Sequence, residues 1–170
     1  MGVVLYKKRP RLKPEFNRQD QAAELIGWSA LVCVWLVVLF HYASLPEIIP
    51  IHFNAKGEAD GFGLKTHLFT LPAVATVLFV FLTLLNKIPH CFNYLVEITE
   101  SNAKSQYTHA TRLIRYLKLV IVLVILGLVF ITLKAVAEPS PLAKPWMIPL
   151  ILGIVFLPML FFAGWAFRNK

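Results

Sequence analysis

Four long apolar runs decide what this chain can fold into. They lie at about residues 25–45, 68–85, 117–137 and 146–167. About 20 helical residues cross the roughly 30 Å hydrocarbon core of a bilayer, where the backbone groups of a helix are satisfied internally. The composition, 58% hydrophobic and 15% charged, is also typical of a membrane protein. The sequence therefore predicts an all-α membrane protein, a four-helix transmembrane bundle set in a lipid bilayer.

The basic residues predict how the bundle is oriented. Six of the 17 lie in the first 18 positions, five lie in the segment 86–118, and two lie in the C-terminal tail. Cytoplasmic segments accumulate Lys and Arg, so we expect these three segments inside and both termini cytoplasmic. The predicted division is a basic cytoplasmic arm at 1–23, one four-span domain at 24–167 and a cytoplasmic tail at 168–170. Basic and aromatic residues do not interleave outside the apolar runs, so we expect no nucleic-acid partner.

The predicted outer connection, residues 45–67, is the most polar part of the chain between two spans. Pro46 and Pro50 end the first helix, and the sequence from Ile49 to Asn54 alternates with the period of a strand. Three glycines follow, which we expect at positive-φ positions, and Asp60-Gly61 is typical of a turn. The segment therefore predicts a short β-hairpin-like or compact loop over the outer helix ends. The glycines are Gly57, Gly61 and Gly63.

Three interpretations of this loop stay open: a turn that satisfies its own polar groups, a site for an organic or peptide ligand, and a metal site. If a metal binds, the candidate ligands are His52, Glu58, Asp60 and His67. Their spacing matches neither an EF-hand nor a zinc motif, so we expect no metal and no cofactor. No nearby hydroxyl stands in a nucleophile motif, so we expect no catalytic residue.

The segment 86–118 is too long for a simple link between two helices. Alternating apolar residues at 92–98 predict an extended piece, and helical spacing from about Ser101 predicts that the third helix begins in the cytoplasm. We interpret its basic residues as a solvated positive collar, with a docking surface for a partner as the alternative.

The outer loop resembles the signature of a membrane family, domain of unknown function 1648. The matching residues are Pro50, His52, Phe53, Asn54, Gly57, Glu58, Asp60, Gly61, Phe62, Gly63 and Lys65, followed by Pro72. Ala59 departs from the proline usual in that family. The stretch 92–118 also looks like stand-alone members. The resemblance implies a bacterial cytoplasmic (inner) membrane protein related to the N-terminal domain of SdpI-type immunity proteins, which have more spans.

Together these features predict a protein without enzymatic activity that recognises a peptide, envelope component or partner subunit through its outer loop. The candidate binding residues are Pro50, His52, Phe53, Asn54, Gly57, Glu58, Asp60, Gly61, Phe62 and Lys65. Two alternatives remain: a metal-dependent membrane enzyme that uses the same loop, and a structural accessory subunit of a membrane complex.

Overall fold

The computed structural model describes residues 9–138 and 147–169. In this part of the chain, four helices are long and apolar enough to cross a membrane, which confirms the predicted multi-pass, all-α class. The helices are α1 (Arg18–Tyr42), α2 (Thr70–Leu85), α3 (Ala103–Ala137) and α4 (Met147–Arg168). Two strands, β1 (Ile48–Phe53) and β2 (Ala59–Leu64), form an antiparallel hairpin between α1 and α2.

Helix α1 begins seven residues before the predicted span. Asn17 and Asp20 form a capping box, in which each side chain accepts a hydrogen bond from the other's backbone N–H at 2.9 Å. The last residues of the predicted basic arm are therefore helical. The helix also ends at Tyr42 rather than near Leu45, four residues before Pro46. Residues 1–8 of the arm and the connection 139–146 lie outside the described residues.

Helix α3 is the centre of the bundle, because α1, α2 and α4 each pack against it. Its 35 residues make it about 52 Å long at 1.5 Å per residue, longer than a bilayer core. This length confirms that α3 starts well before its apolar run. The hydrophobic core contains side chains of α1, α2 and α3, which include Val34, Val38, Ala75, Phe79, Val122, Ile125 and Val129. Phe40 and Phe81 point away from this core, as lipid-facing side chains do.

Apart from a short 3₁₀ helix at Pro89–Cys91, the segment 86–102 packs as irregular chain and not as a strand. Tyr94, Val96 and Ile98 lie against Ala103 and Tyr107 in the first turns of α3. The Tyr94 hydroxyl donates to the Pro89 carbonyl at 3.0 Å. Burial raises the pKa of the Tyr94 phenol, and so does Tyr107, while Arg9 opposes them, so the phenol remains a donor at neutral pH. The alternating apolar residues thus cover the start of α3.

Candidate functional site

The hairpin is built with an irregular register. Ile48 lies opposite Leu64 and Pro50 opposite Phe62, but His52 lies opposite Gly61, so Ile51 is an extra residue in β1. A bulge of this kind breaks the alternation of faces. Ile49 is buried, 1% exposed, against the core, whereas Ile51 is exposed, although simple alternation places both on one face. Phe53 is half-buried opposite Ala59.

Asn54 makes the reversal between the two strands. Its Oδ1 accepts hydrogen bonds from the N–H groups of Lys56 and Glu58, and its Nδ2 donates to Glu58 Oε2 at 2.9 Å. Gly57 has φ of +81°, a conformation that favours glycine. The prediction that Asp60-Gly61 makes the turn is wrong, because both residues lie inside β2. Gly61 and Gly63 do not have positive φ, which was also expected of them.

His52 and Asp60 form an exposed polar pair at the outer part of the hairpin. His52 Nδ1 is hydrogen-bonded to Asp60 Oδ1, and the two side chains are 71% and 43% exposed. Gly61 lies opposite His52, and a Cβ atom added there would come within 2.9 Å of His52 Cβ. Gly61 therefore leaves the space in which the imidazole stands.

Lys65 ties the base of the hairpin to the end of α1. Its Nζ lies 3.1 Å from Glu47 Oε1, donates to the Leu45 carbonyl at 3.3 Å and stands over the Tyr42 ring. The Lys65 N–H donates to the Glu47 carbonyl at 2.9 Å. With Ile49 buried beneath it, the hairpin is fixed to the end of the bundle where α1 ends.

An apolar patch remains uncovered on the hairpin. Ile48, Phe62 and Leu64 lie on one face, because opposite residues and residues two apart share a face of a strand pair. Phe62 is 61% exposed, and the other two are also exposed. Strand β1 contacts α3, whereas β2 is paired on one side by β1 and leaves an outer edge.

The structure separates the four candidate metal ligands. Only His52 and Asp60 meet, while Glu58 bonds Asn54 and His67 Nδ1 lies 2.9 Å from the Leu64 carbonyl. Among the residues that the structure describes, no three His, Cys, Asp or Glu side chains could hold a metal ion. His67 instead lines a cavity of about 200 Å³ beneath the hairpin, together with Pro50, Thr70 and Thr132 of α3.

At the opposite end of the bundle, α1 and α3 share a buried ion cluster. Lys118 Nζ bonds Glu24 Oε2 at 2.6 Å and Thr83 at 2.8 Å, and Arg115 bonds Asp20 at 3.2 Å. Lys118 and Arg115 are buried, so the interpretation of the basic residues as a solvated collar is wrong for these two. A signal was present: Arg112, Arg115 and Lys118 recur every three residues on α3, which puts them close to one helix face.

Comparisons with known proteins agree with the resemblance of the loop segment, whereas the stretch 92–118 lies outside the family match. Residues 30–76 match the family described as "Domain of unknown function (DUF1648)", a range that holds the second half of α1, the hairpin and the start of α2. The chain is 40% identical over 72 residues to an uncharacterized protein of Archaeoglobus fulgidus. That match covers 38% of this chain and 39% of the archaeal protein, so it spans about two fifths of the relative's length. No solved structure matches the chain.

Proposed function

We propose that this multi-pass membrane protein is a non-enzymatic receptor that binds an extended peptide along the hairpin on the extracytoplasmic side. The observation that carries the proposal is the outer edge of β2, next to the exposed side chains of Phe62 and Leu64. Extended peptides bind such edges by adding a strand, with backbone hydrogen bonds for affinity and side-chain contacts for specificity.

The backbone register supports this mode of binding. The Lys65 N–H donates to Glu47 across the hairpin, so in an antiparallel pair the Gly63 groups also point inward. The N–H and C=O groups of Phe62 and Leu64 then point to the outer edge, where an added strand would find them. Their side chains would contact alternate side chains of the peptide.

Six other residues of the signature divide into two roles in this proposal. Asn54, Gly57, Gly61 and Lys65 hold the hairpin in its shape and would act on binding only through that shape. His52 and Asp60 form a polar pair beside the apolar patch and would give the peptide a charged or hydrogen-bonding contact. The sequence resembles the N-terminal domain of immunity proteins that protect bacterial membranes from a secreted toxin peptide. A peptide ligand agrees with that resemblance.

Photo-crosslinking in native membranes tests the proposal. A benzoylphenylalanine at position 62 should give a discrete adduct with a peptide, identified by mass spectrometry, and the control at Phe81, an exposed residue of α2, should give lipid adducts only. Phe62→Ala should abolish recovery of that peptide on the purified protein, whereas Lys56→Ala at the turn should not. Equal adducts at both positions, or lipid alone at position 62, would overturn peptide recognition.

A further inference from the structure

Two cavities meet at the basic end of the bundle. The first, of about 300 Å³, is polar and is lined by Glu15, Ser101, Lys104, Ser105, His109 and Arg112. The second, of about 200 Å³, lies between α3 and α4 and is lined by rings and aliphatic groups that include Leu113, Tyr116, Pro158, Phe161, Phe162 and Trp165. His109 and Arg112 belong to both linings, so the two cavities adjoin each other at these two side chains.

The site changes from polar to apolar along α3. Its polar part includes Lys104 in the first turn of α3, and its apolar part reaches Tyr116, about 18 Å further along the helix at 1.5 Å per residue. Helix α4 runs antiparallel beside it: the His109 and Trp165 rings stack at 3.6 Å, and the Tyr116 hydroxyl donates to the Ile154 carbonyl at 3.1 Å. Trp165 lies near the C-terminal end of α4, and aromatic side chains are enriched at the ends of membrane helices.

The polar part has charges that suit an anion. Arg112 uses Nε for its ion pair with Asp20, and among the described residues no partner is seen for its terminal guanidinium nitrogens. Lys104 pairs with Glu15 at 3.2 Å, but both side chains are exposed, and exposed pairs of this kind are weak. The hydroxyls of Ser101 and Ser105 complete the lining with groups that can donate to a phosphate oxygen.

We propose that this joint site binds one anionic phospholipid of the adjoining leaflet, with its phosphate between Lys104 and Arg112 and an acyl chain in the groove between α3 and α4. The polar cavity alone fits any phosphate, and the apolar groove alone fits any alkyl chain. The two lining residues that they share, and the order of polar before apolar lining along α3, favour a molecule that has both parts. Basic pockets between membrane helices bind anionic headgroups in this way.

Native mass spectrometry of the full chain, released from detergent with added dioleoylphosphatidylglycerol or dioleoylphosphatidylcholine, tests the site. The first phosphatidylglycerol molecule should bind more tightly than any further phosphatidylglycerol molecules, and more tightly than phosphatidylcholine. Lys104→Gln should weaken its binding about fivefold, whereas Lys87→Gln, an exposed lysine at the same end, should leave it unchanged. Glu15→Gln should strengthen binding by freeing Lys104, and Glu100→Gln, outside the lining, should not.

The groove is tested separately from the charges. Phe161→Ala should weaken binding of phosphatidylglycerol, and Phe81→Ala, exposed on α2, should not. Water-soluble glycerol 3-phosphate should fail to displace the lipid at equal concentration. Equal effects of Lys104→Gln and Lys87→Gln, equal binding of the two lipids, or full displacement by glycerol 3-phosphate would each overturn the proposal.

Discussion

At the residue scale, the signature segment contains glycines that differ in their physical role. Gly57 provides a positive φ, whereas Gly61 provides space beside His52. We expect Gly61→Ala to lower the free energy of unfolding by about 1–3 kcal/mol, because its Cβ would overlap the His52 side chain. Gly127→Ala is the matched control, since nothing lies within 4 Å of an added Cβ there.

Thermal unfolding in detergent, together with hydrogen exchange of the hairpin amides, measures this difference. Exchange within β2 should quicken in Gly61→Ala and stay unchanged in Gly127→Ala. Unchanged exchange and stability in Gly61→Ala would mean that the hairpin does not pack as closely as the structure has it.

The contacts of Lys65 at the base of the hairpin lead to a second prediction at the residue scale. Lys65→Met keeps the apolar stem over Tyr42 but removes the bonds to Glu47 and the Leu45 carbonyl. Because Lys65 is mostly buried and Glu47 is exposed, we expect the free energy of unfolding to fall by only about 1 kcal/mol. Amide exchange at the hairpin base should become faster. Lys56→Met at the exposed turn should change neither quantity. Equal exchange in the two variants would contradict a clamp at Lys65.

At the scale of elements, the sequence predicts most of the helices and strands but less of how they pack together. The four apolar runs predict the helices, and prolines, glycines and alternation predict the hairpin. The position of the turn and the bulge at Ile51 depend on Asn54, whose side chain bonds two backbone N–H groups, and on the burial of Ile49 against α3. The Asn54 bonds are local and the burial of Ile49 is a tertiary contact, and together they select one of several patterns that the local sequence allows.

The contact between α1 and α3 carries a prediction about buried charge. Lys118→Met should lower the free energy of unfolding by about 3 kcal/mol, because it leaves Glu24 with one fewer cation in a partly dry site. In the double variant Lys118→Met with Glu24→Gln, the free energy of unfolding should fall by less than the sum of the decreases in the two single variants. A denaturant double-mutant cycle measures the coupling, and strict additivity would show that the two side chains do not interact.

At the scale of the whole molecule, the two ends of the bundle differ in character. The hairpin with its apolar patch caps one end, while the ion cluster and the lipid-binding cavities lie at the other. The side of the membrane on which the hairpin would meet its peptide depends on which end faces the cytoplasm. The distribution of Lys and Arg predicts that the end with the N-terminus of α3 is inside.

Cysteine labelling in intact cells tests this orientation, and the chain supplies its own internal control. Native Cys91 is exposed in the segment predicted to be cytoplasmic, so a membrane-impermeant maleimide should reach it only after the cells are lysed. In a Cys33→Ala background, which removes the thiol within α1, the added Lys56→Cys substitution at the hairpin turn should react in intact cells. Both reactions can be followed on one protein by peptide mass spectrometry. Labelling of Cys91 in intact cells, with position 56 protected until lysis, would show that the bundle has the opposite orientation in the membrane. The hairpin would then face the cytoplasm, and its peptide would have to be a cytoplasmic one.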